Sequence, residues 1–104
     1  MARIAFKMKL LPGFEQEYKT RHDSLWPELH TLLKESGIAA YSIFLDEATL
    51  DLFGYLTIPD EQNLASLPMH PVMKKWWAYM KDIMETNEDD SPKQSALTEV
   101  FFMQ

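Results

Sequence analysis

The sequence predicts an α+β fold in the order strand, helix, strand, strand, helix, strand. Three of its segments alternate polar and apolar residues with a period of two, which is typical of a strand with one solvated face. Two other segments repeat apolar residues every three or four positions, as helices with one buried side do. This order of elements is the split βαβ arrangement of ferredoxin-like folds with an antiparallel sheet.

The first strand is predicted over residues 3–11, where every second side chain is apolar. Pro12 and Gly13 then interrupt the alternation, as residues of a turn do. Apolar side chains at helical spacing begin with Phe14, so a helix is expected to follow the strand directly.

A proline divides the helical stretch that follows the first strand. Pro27 has no backbone N–H, and proline is well tolerated in the first turn of a helix but not in its interior. We therefore expect Pro27 to start a second helix that is capped by Asp23 or Ser24 and ends before Gly37.

The second half of the chain repeats both patterns. Residues 40–46 and 50–58 alternate like the first strand and are separated by a short turn, which predicts an antiparallel hairpin. A helical region opens at Pro59, and residues 72–84 carry a strong amphipathic stripe. An acidic loop then leads to residues 97–103, whose apolar composition suits a final strand.

Helices on one face of this sheet would leave its other face open. The side chains expected there are more apolar than contact with water favours, and they are Ala5, Lys7, Phe44, Phe53 and Tyr55 or their alternates. A chain of 104 residues has only a modest core, and a second subunit is a natural cover for such a face. We therefore expect a homodimer.

Length and composition restrict the possible functions. The chain suffices for one domain over residues 1–104, and its formal net charge of -6 argues against binding to nucleic acid. It has no cysteine, which excludes disulfides, thiolate catalysis and cysteine-based zinc sites. The N-terminal residues lack the unbroken apolar stretch of a signal peptide, and no segment has the roughly 20 apolar residues of a membrane helix. The expected location is the cytoplasm, with no membrane as a partner.

Tyr18 and His22 are the first candidates for chemistry. They stand four residues apart on one helical face, with Phe14 on the same ridge, so one ligand could touch both. Histidine exchanges protons near neutral pH, and a phenol can hydrogen-bond a hydroxyl-rich ligand. Taken alone, the spacing also fits an amphipathic helix in which Tyr18 belongs to the core and His22 to its boundary.

Trp76 and Trp77 form the second candidate pair. Adjacent helical residues point about 100° apart, so the two indoles cannot reach the same spot from the same side. One indole could stack on the apolar face of a sugar ring while the other packs into the core or presents its N–H. Both could equally be core residues.

No metal or nucleotide site is predicted. His30 and His70 lie at irregular distances from His22, and the three histidines make no metal-binding motif. The three glycines are scattered, so a glycine-rich phosphate loop is missing. We expect neither a metal nor a cofactor.

Two stretches, RHDSLWPEL and WWAYMKDIMETNEDDSP, closely resemble the L-rhamnose mutarotase family, and the resemblance runs nearly from end to end. It implies a dimeric α/β barrel and an isomerase that interconverts the α and β anomers of L-rhamnose. By the same resemblance His22 is the proton donor, and the residues that bind the sugar are Tyr18, Tyr41, Trp76 and Trp77.

The implied reaction needs two proton transfers. Ring opening requires an acid that protonates the ring oxygen and a base that removes the anomeric hydroxyl proton, and the roles reverse on closure. With His22 as the donor, the base could be Tyr18, Tyr41 or a bound water. Two other functions fit the fold, a small cofactor-free oxygenase of the dimeric α/β barrel type and a non-catalytic sugar-binding module.

Overall fold

The computed structural model describes all residues from Met1 to Gln104. Its strands and α-helices are β1 (Ala2–Lys9), α1 (Glu15–Asp23), α2 (Pro27–Glu35), β2 (Ala40–Asp46), β3 (Asp51–Ile58), α3 (Pro71–Met80) and β4 (Ser95–Leu97). Two short 3₁₀ turns, Glu61–Leu64 and Leu67–Met69, precede α3. None of the helices has the length and apolar character that crossing a membrane requires.

The four strands form one antiparallel sheet in the order β2-β3-β1-β4. β1 and β3 pair along their whole length, from Ala2 opposite Ile58 to Lys9 opposite Asp51. β2 and β3 form the predicted hairpin. Because helices connect β1 to β2 and β3 to β4, the predicted ferredoxin-like α+β arrangement is confirmed.

The core lies between the helices and one face of the sheet. Its main cluster of buried side chains comprises Met8, Leu10, Tyr18, Leu29, Leu52, Trp76, Met80, Ile83 and Met84. Tyr18 is the one buried residue of α1, whose other residues are polar or charged. The side chain that holds α1 to the core is therefore one of the predicted site residues.

The predicted cap of α2 was wrong, although Pro27 does start this helix. α1 continues through Asp23 and Ser24 is its C-terminal cap residue, so neither residue is free to cap the next helix. Trp26 stands at the cap position and no side chain accepts a hydrogen bond there. Proline at the first helical position removes one of the four N–H groups that have no partner within the helix, so fewer unpaired donors are left at this end.

The final strand was predicted too far along the chain. Residues 95–97 pair with β1, so the predicted strand over residues 97–103 was wrong beyond its first residue. Past Leu97 the backbone leaves the sheet, and Val100 is 92% exposed. Arg3 binds the Glu99 carboxylate there with two side-chain hydrogen bonds of 2.7 and 2.8 Å, so a side-chain contact replaces the backbone ladder.

Two apolar stretches contain shorter elements than predicted. β1 ends at Lys9, and the next residue makes only an isolated bridge to Met84. α3 ends at Met80, so the stripe over residues 72–84 combines a helix with buried residues of the following turn. Apolar periodicity reports burial, and buried residues outside a helix can continue it.

Candidate active site

Tyr18 and His22 contact each other at two points on α1. Their rings stack with centroids 4.2 Å apart and planes inclined by 29°. The His22 Nδ1 lies 2.9 Å from the backbone carbonyl oxygen of Tyr18. Because a carbonyl oxygen can only accept, Nδ1 carries the proton in this hydrogen bond, and Nε2 is left free for another partner.

Trp76 approaches the same imidazole from α3. Its indole meets His22 edge-on, with centroids 5.4 Å apart and an interplanar angle of 88°. Trp76 also contacts Trp26 at 5.1 Å and Tyr79 at 5.6 Å, and only 7% of its surface is exposed. The imidazole of His22 is thus held between a phenol of its own helix and an indole of another helix.

Tyr41 and Trp77 complete the predicted set. Tyr41 lies on the edge strand β2, where its ring meets Phe6 of β1 edge-on at 6.2 Å. Trp77 is half-buried and packs against the main core cluster. The structure brings the predicted residues to one cavity of about 980 Å³, whose lining includes Tyr18, His22, Tyr41, Trp76 and Trp77.

The cavity can hold a small polar ligand. Its volume lies in the range of small-molecule pockets, and its lining is mostly apolar with a few polar groups. Every side-chain polar atom that is sealed from solvent has a hydrogen-bond partner. The Tyr18 hydroxyl has no partner within the protein, so it is open to the cavity. Tyr41, which is 39% exposed, also lines the cavity.

Burial changes the proton affinities of these groups. It lowers the pKa of His22 below the usual value of 6.5, against the opposing effects of the Tyr18 carbonyl and the Asp23 charge. Burial raises the pKa of Tyr41 to about 12. Burial also raises the pKa of Tyr18, and the charge of Tyr41 raises it further. At neutral pH both phenols are therefore protonated, and the imidazole is mostly neutral.

The other two histidines are not part of the aromatic contacts around His22. His70 caps α3, where its Nδ1 accepts a hydrogen bond of 3.2 Å from the backbone N–H of Val72. His30 is exposed on α2 and lies in the lining of the same cavity. No group of three or more His, Asp or Glu side chains is close enough to hold a metal ion.

Sequence reasoning missed three residues around the site, Arg21, Trp26 and Tyr79. Tyr79 follows Trp76 by one helical turn, and Arg21 follows Glu17 by four residues, so helical spacing gave a signal for both. Trp26 had no such signal, because it lies in the connection between α1 and α2 and reaches Trp76 only in the folded chain.

Known proteins resemble the chain over its whole length. The family described as L-rhamnose mutarotase matches residues 3–103. An L-rhamnose mutarotase of Rhizobium johnstonii is 62% identical over 103 residues, which cover 99% of this chain and 97% of that protein.

Solved structures extend the likeness to the fold. The crystal structure of an L-rhamnose mutarotase from Formosa agariphila superimposes with a TM-score of 0.93 at 48% identity, and the match covers 100% of both chains. A dimeric ferredoxin-like protein from an uncultured marine organism superimposes with a TM-score of 0.60 at 9% identity, covering 99% of this chain and 100% of that one. The second likeness shows the fold alone.

Proposed function

The chain belongs to the L-rhamnose mutarotase family, and we propose that it opens and closes the ring of L-rhamnose by general acid–base catalysis at His22. As an isomerase of this family it interconverts the α and β anomers of the sugar. Tyr18, Tyr41, Trp76 and Trp77 bind the substrate in this proposal.

One observation supports the role of His22 above all others. Its Nδ1 is anchored to the Tyr18 carbonyl at 2.9 Å, and the ring is held between Tyr18 and Trp76. The remaining nitrogen, Nε2, can give a proton to a sugar oxygen or take one from it without a change in the ring's position. A fixed imidazole with one free nitrogen is what general acid–base catalysis requires.

The reaction begins with the imidazolium form of His22. Nε2 gives its proton to the ring oxygen as the bond between that oxygen and C1 breaks, and a base removes the proton of the anomeric hydroxyl. C1 becomes a carbonyl carbon, and rotation about the bond between C1 and C2 presents its other face. Closure reverses both proton transfers, so the neutral imidazole takes a proton back.

The phenols are suited to hydrogen bonding. Burial raises the pKa of Tyr41 to about 12 and also raises that of Tyr18, so neither phenolate is available as a base near neutral pH. Each hydroxyl can donate a hydrogen bond to a sugar oxygen and accept one from a sugar hydroxyl. A water molecule at the anomeric hydroxyl is therefore the base that this proposal favours over Tyr18 and Tyr41.

Exchange between the two anomers of L-rhamnose tests the function directly. Saturation transfer between the two anomeric proton signals is measured by NMR with and without the protein. We expect the protein to increase the exchange rate in proportion to its concentration. An oxygenase or a passive sugar-binding module would leave the rate at its value in buffer.

We also propose that two copies of the chain associate through the open faces of their sheets. Phe44 is 67% exposed there, and Tyr55 and Leu97 are 39% and 40% exposed. Sedimentation equilibrium is expected to give the mass of a dimer for the wild type and of a monomer for Phe44→Glu, which places a charge on this face. A monomeric wild type at micromolar concentration would contradict the dimer.

The cytoplasm stays the predicted location. Cell fractionation followed by immunodetection tests it, and recovery of the chain outside the cytoplasmic fraction would contradict it.

A further inference from the structure

Arg21, the neighbour of His22 on α1, donates more hydrogen bonds than any other charged side chain of the protein. Its Nη1 donates hydrogen bonds to the Tyr79 carbonyl at 2.8 Å and to Asp82 Oδ1 at 2.9 Å, and its Nη2 donates to Asp82 Oδ2 at 3.2 Å. Its Nε donates to Glu17 Oε2 at 2.7 Å. The guanidinium also lies over the Tyr79 ring, 4.5 Å from its centroid.

These contacts join α1, which carries His22, to the end of α3, which carries Trp76. Glu17 belongs to α1, whereas Tyr79 lies in the last turn of α3 and Asp82 lies just beyond it. Only 11% of the Arg21 side chain is exposed, against 30% or more for the cation of every other ion pair. The Asp82 side chain is 63% exposed, so the pair is shielded on its arginine side only. Its bidentate geometry and the hydrogen bond to the Tyr79 carbonyl supply directional contacts that a simple surface ion pair lacks, and together they can fix the two helices to each other.

We propose that Arg21 is a positioning residue for His22. It holds α1 against the end of α3, and so sets the place of the imidazole relative to Trp76 and the cavity. The inference rests on the proposed function of His22, which it deepens.

Contacts through two aromatic rings link the Arg21 side chain to the imidazole of His22. From Arg21 the path runs over the Tyr79 ring to Trp76, whose ring centroid is 5.6 Å away. Trp76 meets His22 at 5.4 Å, and His22 follows Arg21 in the backbone of α1. Without Arg21, apolar packing alone, including that of Tyr18 in the core cluster, would hold α1 at its distance from α3, and packing has weaker directional preference than a bidentate hydrogen-bonded pair.

Arg21 acts on the reaction at a distance. It does not belong to the lining of the cavity, whereas His22 does. A sugar in the cavity would meet Tyr18, Tyr41 and the indoles whether or not the arginine is present. The expected loss therefore concerns the rate of the chemical step more than the affinity for the sugar.

The test compares Arg21→Ala with Arg3→Ala. Arg3 is a matched control, because it also makes a bidentate pair with a carboxylate, Glu99, and lies over an aromatic ring, Phe102 at 3.6 Å, but on the opposite face of the sheet. Anomer exchange at several L-rhamnose concentrations gives kcat and KM for both variants. Circular dichroism and sedimentation show that each variant is folded and has the oligomeric state of the wild type.

We expect kcat of Arg21→Ala to fall about 10- to 100-fold while KM changes by less than about threefold, because a small misplacement of a catalytic group slows the chemical step. Arg3→Ala should keep both values near those of the wild type. The near-ultraviolet circular dichroism of Arg21→Ala should also change, since the environment of Trp26, Trp76 and Tyr79 changes. Millimolar guanidinium chloride should restore part of the lost kcat in Arg21→Ala and none in His22→Asn.

Several results would overturn the inference. A kcat of Arg21→Ala within twofold of the wild type would remove the positioning role, and so would an equal loss in Arg3→Ala. If Arg21→Ala does not fold, Asp82→Asn keeps the size of the side chain but weakens the bidentate pair, and wild-type kcat in that variant would overturn the inference too. If the wild type does not accelerate anomer exchange, the proposed function fails. If the wild type accelerates anomer exchange and Arg21→Ala accelerates it equally well, the proposed function stands and the positioning role of Arg21 fails.

Discussion

The imidazole of His22 stacks on the phenol of Tyr18 at 4.2 Å and donates a hydrogen bond of 2.9 Å to the backbone carbonyl of the same residue. One tyrosine thus fixes both the plane of the imidazole and the nitrogen that carries its proton. The i, i+4 spacing on a helix makes both contacts possible at once, because these residues lie one above the other. The remaining nitrogen is available for proton transfer with a ligand.

The first prediction is that His22→Asn removes most of the catalytic rate. Asparagine can hydrogen-bond a sugar oxygen but cannot transfer a proton to it, so the rate should fall about 10²- to 10⁴-fold. Sugar affinity should be largely preserved, because Tyr18, Tyr41 and the indoles are unchanged. Anomer exchange by NMR and binding by titration calorimetry measure the two effects.

His70→Asn is the matched control for that substitution. His70 accepts a hydrogen bond from the Val72 N–H at the start of α3, and asparagine is a good N-cap that keeps such an acceptor. Activity should therefore stay near the wild-type value. Wild-type exchange in folded His22→Asn would remove His22 from the mechanism.

The second prediction concerns pH. Burial lowers the pKa of His22, so the NMR titration of its ring protons should have a midpoint below 6.5. Because the proposed donor is the imidazolium form, kcat/KM after subtraction of the rate in buffer should rise as the pH falls through that midpoint, and then level off. A rate that falls with decreasing pH through the same midpoint would make the neutral imidazole the active form and contradict the donor role.

The sequence predicted the order of the elements because each depends on local patterns. Alternation over residues 40–46 and 50–58 sufficed for the hairpin, and the missing N–H of Pro27 sufficed for the start of α2. The end of the last strand was not predictable in this way. Whether residues 98–103 pair with β1 depends on the path of the chain after the sheet, and the apolar character of a segment does not determine that path.

The candidate site was partly predictable. Family resemblance pointed to its five residues, and helical spacing explains why Tyr18 and His22 meet. The contacts that hold the site together were not predictable. Arg21 and Asp82 lie 61 positions apart, and the sequence around one residue does not indicate that it pairs with the other. Long-range contacts of this kind arise from the packing of α1 against the end of α3.

The third prediction is that Tyr41→Phe weakens sugar binding without affecting the fold. The substitution removes one hydroxyl, and the ring keeps its edge-on contact with Phe6 at 6.2 Å. Loss of one neutral hydrogen bond should reduce affinity about three- to tenfold. Titration calorimetry measures the affinity, and thermal unfolding serves as the control for stability. Unchanged affinity would make Tyr41 a packing residue only.

The fourth prediction separates the two tryptophans. Trp76 is 7% exposed and contacts His22, Trp26 and Tyr79, whereas Trp77 is half-buried in the cavity lining. Trp76→Phe should lower the free energy of unfolding by about 1 to 3 kcal/mol, because the smaller ring leaves a gap in the core. Trp77→Phe should lower it less.

Both variants should bind the sugar more weakly, since each loses an indole N–H and stacking area. Urea unfolding and titration calorimetry give the two quantities for each variant. If Trp77→Phe binds with wild-type affinity, Trp77 does not contact the sugar. Equal losses of stability in the two variants would contradict the assignment of Trp76 to the core.

The fifth prediction concerns Gly54, which lies directly opposite Phe6 in the pairing of β1 with β3. A Cβ atom at Gly54 would lie 2.6 Å from Phe6 Cε2, far closer than non-bonded carbon atoms approach. The glycine thus leaves room for the Phe6 ring, which meets Tyr41 edge-on. We expect Gly54→Ala to displace the ring, to destabilise the fold by about 1 to 3 kcal/mol and to weaken sugar binding through Tyr41.

Urea unfolding and titration calorimetry again separate stability from affinity. The double variant Gly54→Ala/Phe6→Leu should recover part of the lost stability, because leucine is smaller and leaves space for the new methyl group. It should not recover affinity, because the ring that supports Tyr41 is gone. If Gly54→Ala loses stability but binds the sugar as the wild type does, the contact between Phe6 and Tyr41 does not shape the binding site, and Gly54 serves only the packing of the sheet.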